Sequence, residues 1–278
     1  MQKLSVKSVD GTKIVAHCLG GSGPLLMIVH ATGLHGRAYA PMANSLLDDF
    51  TVWAIDIRGH GASAIPDDGD FAWEKLAADL LACVDALEVS EIFAFGHSMG
   101  GGALLIAELS RPGLIRGAYL YEPIVFPREY LIGRTHNPMA EPARRRREIF
   151  PTRDAALARY ASRPPLNQLR ADALHAYVEY GFNDLEDGSV QLACRGESEA
   201  RTFECDQKIT LERVEGLEFP LTVGAGGVGG YPNPADFAPM LVETIPNAEL
   251  IIYESLGHFG PLEAPPTIAH DVRAALCN

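Results

Sequence analysis

The fold is decided by residues 92–102, which read Ile92-Phe93-Ala94-Phe95-Gly96-His97-Ser98-Met99-Gly100-Gly101-Gly102. The apolar residues 92–95 predict a buried strand, and residues 100–110 have a helical pattern. Ser98 is therefore expected on a sharp turn from a strand into a helix, where small neighbours relieve crowding of the backbone. Such a turn exposes the serine hydroxyl and directs the helix dipole at developing negative charge. The stretch thus indicates a nucleophilic serine.

Strands and helices alternate on both sides of this turn. After a hairpin around Asp10-Gly11, apolar runs that predict buried strands lie at 25–29, 51–55, 92–95, 117–121, 220–223 and 250–253. Helical patterns lie near 37–47, 73–88, 100–110, 235–245 and 265–276. This alternation predicts an α/β fold in which helices cover both faces of a mostly parallel sheet.

The alternation is interrupted once, between residues 127 and 215. This part of the chain is richer in charge, and its short helical patterns lie at 139–149, 153–161 and 167–180. A turn at Asp187-Gly188 then leads into the apolar stretch 190–194. The sequence therefore predicts a core domain of residues 1–126 and 216–278 with an inserted helical cap of residues 127–215.

Composition excludes several classes of protein. The net charge of −13 over 278 residues argues against nucleic acid and anionic membranes as partners, because both would be repelled. The five cysteines form no Cys-x-x-Cys pair, and no uncharged apolar run is long enough to span a membrane. We expect a cytoplasmic protein that acts on a small molecule without a metal or other cofactor. The sequence leaves a homodimer open.

One basic run stands out in this acidic chain, from Arg144 to Arg147. A solvated helix face is the interpretation we favour, since charged runs commonly lie on such faces. A clamp for an anionic substrate is the alternative.

Four motifs together resemble the α/β-hydrolase superfamily, over nearly all of the chain outside residues 127–215. They are His30-Ala31-Thr32-Gly33, Asp56-Ile57-Arg58-Gly59-His60-Gly61, Gly96-His97-Ser98-Met99-Gly100 and Leu256-Gly257-His258-Phe259. The resemblance implies that Ser98 is the nucleophile and His258 its general base. It also implies an oxyanion hole formed by the backbone N–H groups of Thr32 and Met99. Ala31 stands where the family usually has glycine.

The acid of the triad departs from the commonest family pattern. Most members carry an Asp after the strand that corresponds to residues 221–223, where this chain has Gly224-Ala225-Gly226-Gly227. Glu122 follows the strand at 117–121, a position that carries the acid in some members, including certain haloalkane dehalogenases. We favour Glu122, with Asp236 or no acid at all as the alternatives.

A serine nucleophile of this kind predicts acyl transfer to water through an acyl-enzyme. We expect a small or medium apolar carboxylic ester as the substrate. Hydrolysis of a carbon–carbon bond, a lactone or a thioester stays open, as does a non-catalytic ligand-binding protein of the same fold. His35, Phe126, Tyr177 and Phe259 are the candidate substrate-binding residues.

Overall fold

The computed structural model describes residues 2–132, 137–205, 207–229 and 233–277. Its strands are β1 (Lys3–Lys7), β2 (Lys13–Gly20), β3 (Leu25–Val29), β4 (Thr51–Asp56), β5 (Ile92–His97), β6 (Ile115–Tyr121), β7 (Ile149–Phe150), β8 (Phe182–Asp184), β9 (Val190–Leu192), β10 (Leu221–Gly226) and β11 (Glu249–Tyr253). Its helices are α1 (Ala40–Ala43), α2 (Trp73–Ala86), α3 (Met99–Ser110), α4 (Arg128–Leu131), α5 (Ala140–Arg144), α6 (Arg153–Ala161), α7 (Ala171–Tyr180), α8 (Gly196–Glu204), α9 (Leu211–Val214), α10 (Ala238–Thr244), α11 (Gly260–Glu263) and α12 (Pro265–Leu276). Short 3₁₀ helices lie at Gly36–Tyr39, Leu166–Gln168 and Pro234–Phe237.

Eight strands form one sheet in the order β1-β2-β4-β3-β5-β6-β10-β11. β1 and β2 pair antiparallel, and β2 pairs antiparallel with β4. The other six strands of this sheet, β4, β3, β5, β6, β10 and β11, pair parallel. The register places His97 beside Tyr121 and Tyr121 beside Gly224. The carboxyl ends of β5, β6 and β10 therefore lie next to each other, where open α/β sheets gather their ligands. The predicted fold class is confirmed.

Both faces of this sheet are covered, which explains why its strands read as continuous apolar runs. On one face Met27 and Val29 pack in a cluster with residues of α2 and α3, such as Leu80 and Leu104. On the other face Leu26 and Ile28 pack in a second cluster with residues of α1 and α12, such as Met42 and Val272. Adjacent residues of β3 thus enter different halves of the core, as the period of two in a strand requires.

The chain between β6 and β10 holds α4 to α9 and a separate antiparallel sheet in the order β7-β9-β8. The short helical patterns expected here are accompanied by strands of two or three residues, which are too short to produce an alternating pattern. The two ends of the segment meet, because Phe126 and Thr210 form an isolated parallel bridge. There the Leu211 N–H donates to the Phe126 carbonyl at 3.0 Å.

The helix expected near 37–47 is much shorter in the structure. A 3₁₀ turn at Gly36–Tyr39 passes into α1, which ends at Ala43. Pro41 lies in the first turn of α1, where the lack of a backbone N–H is tolerated. The same lack means that Pro41 cannot donate a hydrogen bond to the turn before it. In the described part of the chain, no helix has both the length and the apolar character needed to cross a bilayer.

A buried ion pair fixes the loop after β4 to helix α2. The Arg58 guanidinium donates to Asp79 through Nε at 2.8 Å and Nη2 at 2.7 Å, and neither side chain is exposed to solvent. Asp10 supplies a further partner at 2.8 Å from Arg58 Nη1. This cluster holds Arg58 in a structural role and leaves it no freedom to reach a substrate.

We expect Asp79→Ala to lower the free energy of unfolding by about 3–5 kcal/mol, because removal of one partner leaves a buried charge poorly compensated. The measurement is urea unfolding followed by circular dichroism. The matched control is Asp85→Ala on the same helix. Asp85 forms an ion pair with Arg111 at the surface, where the Asp85 side chain is 60% exposed and the Arg111 side chain 37%. That change should cost less than about 1 kcal/mol. Equal losses in the two variants would contradict the prediction.

Candidate active site

Ser98 occupies the turn between β5 and α3 in a strained backbone conformation, with φ of 55° and ψ of −117°. The turn leaves no room for side chains at positions 100 and 101. A Cβ atom on Gly100 would lie 2.2 Å from the Val29 carbonyl oxygen, and one on Gly101 would lie 2.6 Å from Pro123 Cβ. Glycine at these positions allows the backbone to approach β3 closely and carry the strained serine.

His258, in the loop after β11, is hydrogen-bonded to Glu122, which directly follows β6. His258 Nδ1 lies 2.6 Å from Glu122 Oε2. The other carboxylate oxygen, Oε1, accepts the Gly226 N–H at 2.9 Å, and the Glu122 side chain is fully buried. An ionised carboxylate only accepts hydrogen bonds, so His258 donates from Nδ1 and keeps Nε2 free to take a proton.

Asp236, the alternative acid, has a different role in the structure. Its Oδ2 accepts the Asn233 N–H at 2.8 Å and completes a capping box at the start of a 3₁₀ helix. Among the described residues, His258 is paired with Glu122 and not with Asp236. The geometry thus favours Glu122 as the acid, and its catalytic role stays a prediction.

The loop after β3 presents Thr32 to the same cavity that contains Ser98 and His258. The neighbouring N–H groups are already used: Ala31 donates to the Tyr39 hydroxyl at 3.2 Å, and Gly33 donates to His60 Nε2 at 3.1 Å. Met99 is the first residue of α3, where a backbone N–H has no acceptor inside its own helix. The backbone N–H groups of Thr32 and Met99 are therefore suitable donors to an oxyanion, and their role in an oxyanion hole stays a prediction.

His97 links this loop to the loop that carries His258. Its Nε2 lies 2.7 Å from the His258 carbonyl oxygen, and its Nδ1 lies 2.6 Å from the Tyr39 hydroxyl. A carbonyl only accepts, so the hydrogen is on Nε2 and Nδ1 accepts from Tyr39. Burial lowers the pKa of His97 well below its usual value, which keeps the ring neutral. Nothing in the sequence predicts the contact between Tyr39 and His97, which lie 58 residues apart.

His30 and His60 brace the loops after β3 and β4 in the same manner. His30 Nε2 accepts the Ile57 N–H at 3.0 Å, and His60 Nε2 accepts the Gly33 N–H at 3.1 Å. Burial lowers the pKa of His30 to about 3 and lowers that of His60 as well. Both rings are neutral because each must accept a backbone hydrogen bond while shielded from water.

The cavity around Ser98 has a volume of about 1150 Å³. Of the candidate substrate-binding residues, Phe126, Tyr177 and Phe259 line it. His35 is not among the residues that line this cavity. Its Nε2 lies 3.1 Å from the Tyr177 carbonyl oxygen, and its ring borders a separate cavity of about 210 Å³ beside Asp56.

The position of His35 has a local cause. The next residue, Gly36, donates its N–H to Asp56 Oδ1 at 2.8 Å, which holds this part of the chain against the end of β4. The carboxylate of Asp56 also accepts the Ala62 N–H at 2.8 Å and lies 2.9 Å from His17 Nε2. Asp56 therefore organises loops, and its hydrogen bond to Gly36 holds the chain beside His35 near the smaller cavity.

Basic residues form part of the wall of the larger cavity. The described cationic residues in its lining are Arg145, Arg146, Arg147, Arg159, Arg163 and Lys208. Helix α5 ends at Arg144, so the rest of the basic run leaves the helix and borders the cavity. The solvated helix face favoured from sequence describes Arg144 and Arg145, which form ion pairs at the exposed end of α5, but not Arg146, which is enclosed in the cavity wall.

Comparison with known proteins supports the same fold. A family model described as "alpha/beta hydrolase fold" matches residues 24–201. The 2-(acetamidomethylene)succinate hydrolase of Mesorhizobium japonicum is 29% identical over 187 residues, 56% of this chain and 67% of that protein. The N-formylmaleamate deformylase of Pseudomonas putida is 25% identical over 266 residues, 91% of this chain and 90% of that protein. Several other curated relatives are matched over only about a third of their own length.

Solved structures agree with this result. The crystal structure of E-2-(acetamidomethylene)succinate hydrolase superposes with a TM-score of 0.84 and covers 100% of both chains. Its sequence identity to this chain is 19%, so the likeness concerns the fold alone.

We expect Glu122→Gln to reduce kcat for a p-nitrophenyl ester by about 10³- to 10⁴-fold, because an amide neither stabilises the imidazolium nor enforces the Nδ1–H tautomer. Asp236→Asn is the matched control and should leave the rate nearly unchanged. Circular dichroism verifies that both variants fold. A normal rate in Glu122→Gln, or a large loss in Asp236→Asn, would reject the assignment.

Acid should destabilise the fold well before its carboxylates are protonated. The pKa values of buried His30, His60 and His97 lie below the usual 6.5, so the unfolded chain binds more protons as the pH falls below that value. The contribution of these histidines to the free energy of unfolding is therefore fully present above about pH 6.5. It decreases toward lower pH, by at most about 1.4 kcal/mol per pH unit for each histidine. Urea unfolding at a series of pH values measures this slope.

The control for this prediction is His60→Gln. The variant removes one of the buried titrating groups, so its slope below about pH 6.5 should be smaller than that of the unmodified protein. A slope that is flat in the unmodified protein, or identical in the variant, would contradict the interpretation.

Proposed function

The chain belongs to the α/β-hydrolase family, and on that premise we propose that it is a serine hydrolase that cleaves a carboxylic ester through an acyl-enzyme. The observation that carries the proposal is the hydrogen bond of 2.6 Å between His258 Nδ1 and the buried Glu122, in a protein whose His258 and Ser98 line one cavity. A nucleophile, an oriented base and an acid are the parts that acyl transfer to water requires.

In the proposed reaction Ser98 Oγ attacks the ester carbonyl carbon while its proton passes to His258 Nε2. Glu122 stabilises the imidazolium that forms, and the N–H groups of Thr32 and Met99 stabilise the negative oxygen. The tetrahedral intermediate then expels the alcohol, which takes the proton from His258. A water molecule, activated by the same base, attacks the acyl-enzyme and releases the acid with Ser98 restored.

The cavity supports a small or medium substrate with an apolar part. Its apolar walls include Trp73, Ile124, Phe126 and Phe259, and its volume of about 1150 Å³ slightly exceeds the usual range for a small-molecule site. We propose that residues 127–215 act as the cap that sets specificity, because much of the lining, including Tyr160 and Leu166, comes from this segment.

An N-acyl compound is the second candidate substrate. The relatives from Mesorhizobium japonicum and Pseudomonas putida are named for hydrolysis of an acetamido compound and for deformylation of N-formylmaleamate. The same serine chemistry would serve such a bond, with His258 donating its proton to the departing nitrogen rather than to an alcohol oxygen.

We expect a fluorophosphonate probe to label Ser98 in the folded protein, and Ser98→Ala to abolish both labelling and hydrolysis. Mass spectrometry of the labelled peptide identifies the site, and a panel of esters, thioesters, lactones and N-acyl compounds ranks the bond types. Failure of the folded protein to react with the probe would reject the hydrolase and favour a ligand-binding protein of this fold.

A further inference from the structure

The charge of the Ser98 cavity is opposite to that of the whole protein. The chain carries a net charge of −13. Among the described residues that line the cavity, six are lysine or arginine and two, Glu199 and Glu204, are carboxylates. A cationic cleft in an acidic molecule concentrates field lines at the cleft and attracts anionic ligands.

Most arginines of this protein are paired with carboxylates, including Arg58, Arg111, Arg153 and Arg273. Cavity residue Arg146 follows this rule. Its guanidinium contacts Glu199 and donates from Nη2 to the Tyr177 hydroxyl at 2.7 Å. Arg146 therefore serves as an internal brace of the cavity wall, because its charge is already compensated.

Arg159 and Arg163 depart from this rule. Both line the cavity, and no carboxylate in the part of the chain that the structure describes lies within ion-pair distance of either one. Arg159 belongs to α6, and Arg163 follows in a turn where its N–H donates to the Tyr160 carbonyl at 3.3 Å. Both positive charges border one cavity without a carboxylate partner, and a bound anion would compensate them.

We propose that the substrate of this cavity carries a carboxylate and that Arg159 and Arg163 bind it, so that they determine specificity. The planar fork of each guanidinium matches the two oxygens of a carboxylate, and such charge-assisted hydrogen bonds are stronger than neutral ones. The inference rests on the proposed function, since it assigns a substrate class to the same site. The substrate then has an ester or N-acyl carbonyl at Ser98 and a free carboxylate at the basic wall.

Two esters of equal chain length test this inference. Mono-p-nitrophenyl glutarate ends in a carboxylate, whereas p-nitrophenyl pentanoate ends in a methyl group. We expect kcat/KM to be higher for the glutarate ester by about tenfold or more, mainly through a lower KM, and this preference should shrink as salt screens the charges. The ratio of the two kcat/KM values is the readout, because effects on the acylation machinery cancel in it.

The double variant Arg159→Gln, Arg163→Gln should lower this ratio by about tenfold or more. The matched control, Arg111→Gln with Arg116→Gln, removes two positive charges outside the cavity and should leave the ratio unchanged. A wild-type ratio near one, or a ratio that the two double variants change equally, overturns the inference. These results differ from a failure of the proposed function, in which neither ester is hydrolysed and Ser98 is not labelled; the inference would then fall with it.

Discussion

The buried hydrogen bond between Glu122 and His258 is the interaction on which the rest of the site depends. A carboxylate without solvent contact is costly unless every oxygen is satisfied, and here the N–H of Gly226 and the ring of His258 do so. The three residues follow or end β6, β10 and β11, so the bond requires these strands to be neighbours. Glycine at 226 is part of this arrangement, since a Cβ there would lie 2.5 Å from the Leu256 carbonyl oxygen.

Regular elements could be read from the sequence where the pattern is long enough. The strand at 25–29 and the helices at 153–161 and 265–276 lie where the sequence pattern predicts them. The strand buries both of its faces and each helix buries one stripe of its surface, so each leaves a recognisable apolar pattern. The strands β7, β8 and β9 could not be predicted, since two or three residues carry no period. Their existence depends on pairing between residues such as Ile149 and Gln191, which are distant in the chain.

The residues of the candidate site also differ in whether the sequence predicts their positions. Ser98 and His258 lie in local motifs, and Glu122 follows a recognisable strand, so all three could be proposed before their positions were known. The hydrogen bond between Tyr39 and His97 joins residues that belong to no common motif, so the sequence does not predict it. Likewise, the cavity positions of Arg159 and Arg163 depend on how α6 packs against α7, which periodicity does not encode.

The bridge between Phe126 and Thr210 gives the inserted segment a closed base. A segment that leaves and re-enters a domain at one point can be replaced by recombination without displacing the strands beside it. Ser98, Glu122 and His258 all lie outside the segment, whereas Arg159 and Arg163 lie inside it. On the roles proposed for these residues, evolution can exchange the part that selects the substrate as a module, while the part that performs the reaction is inherited unchanged.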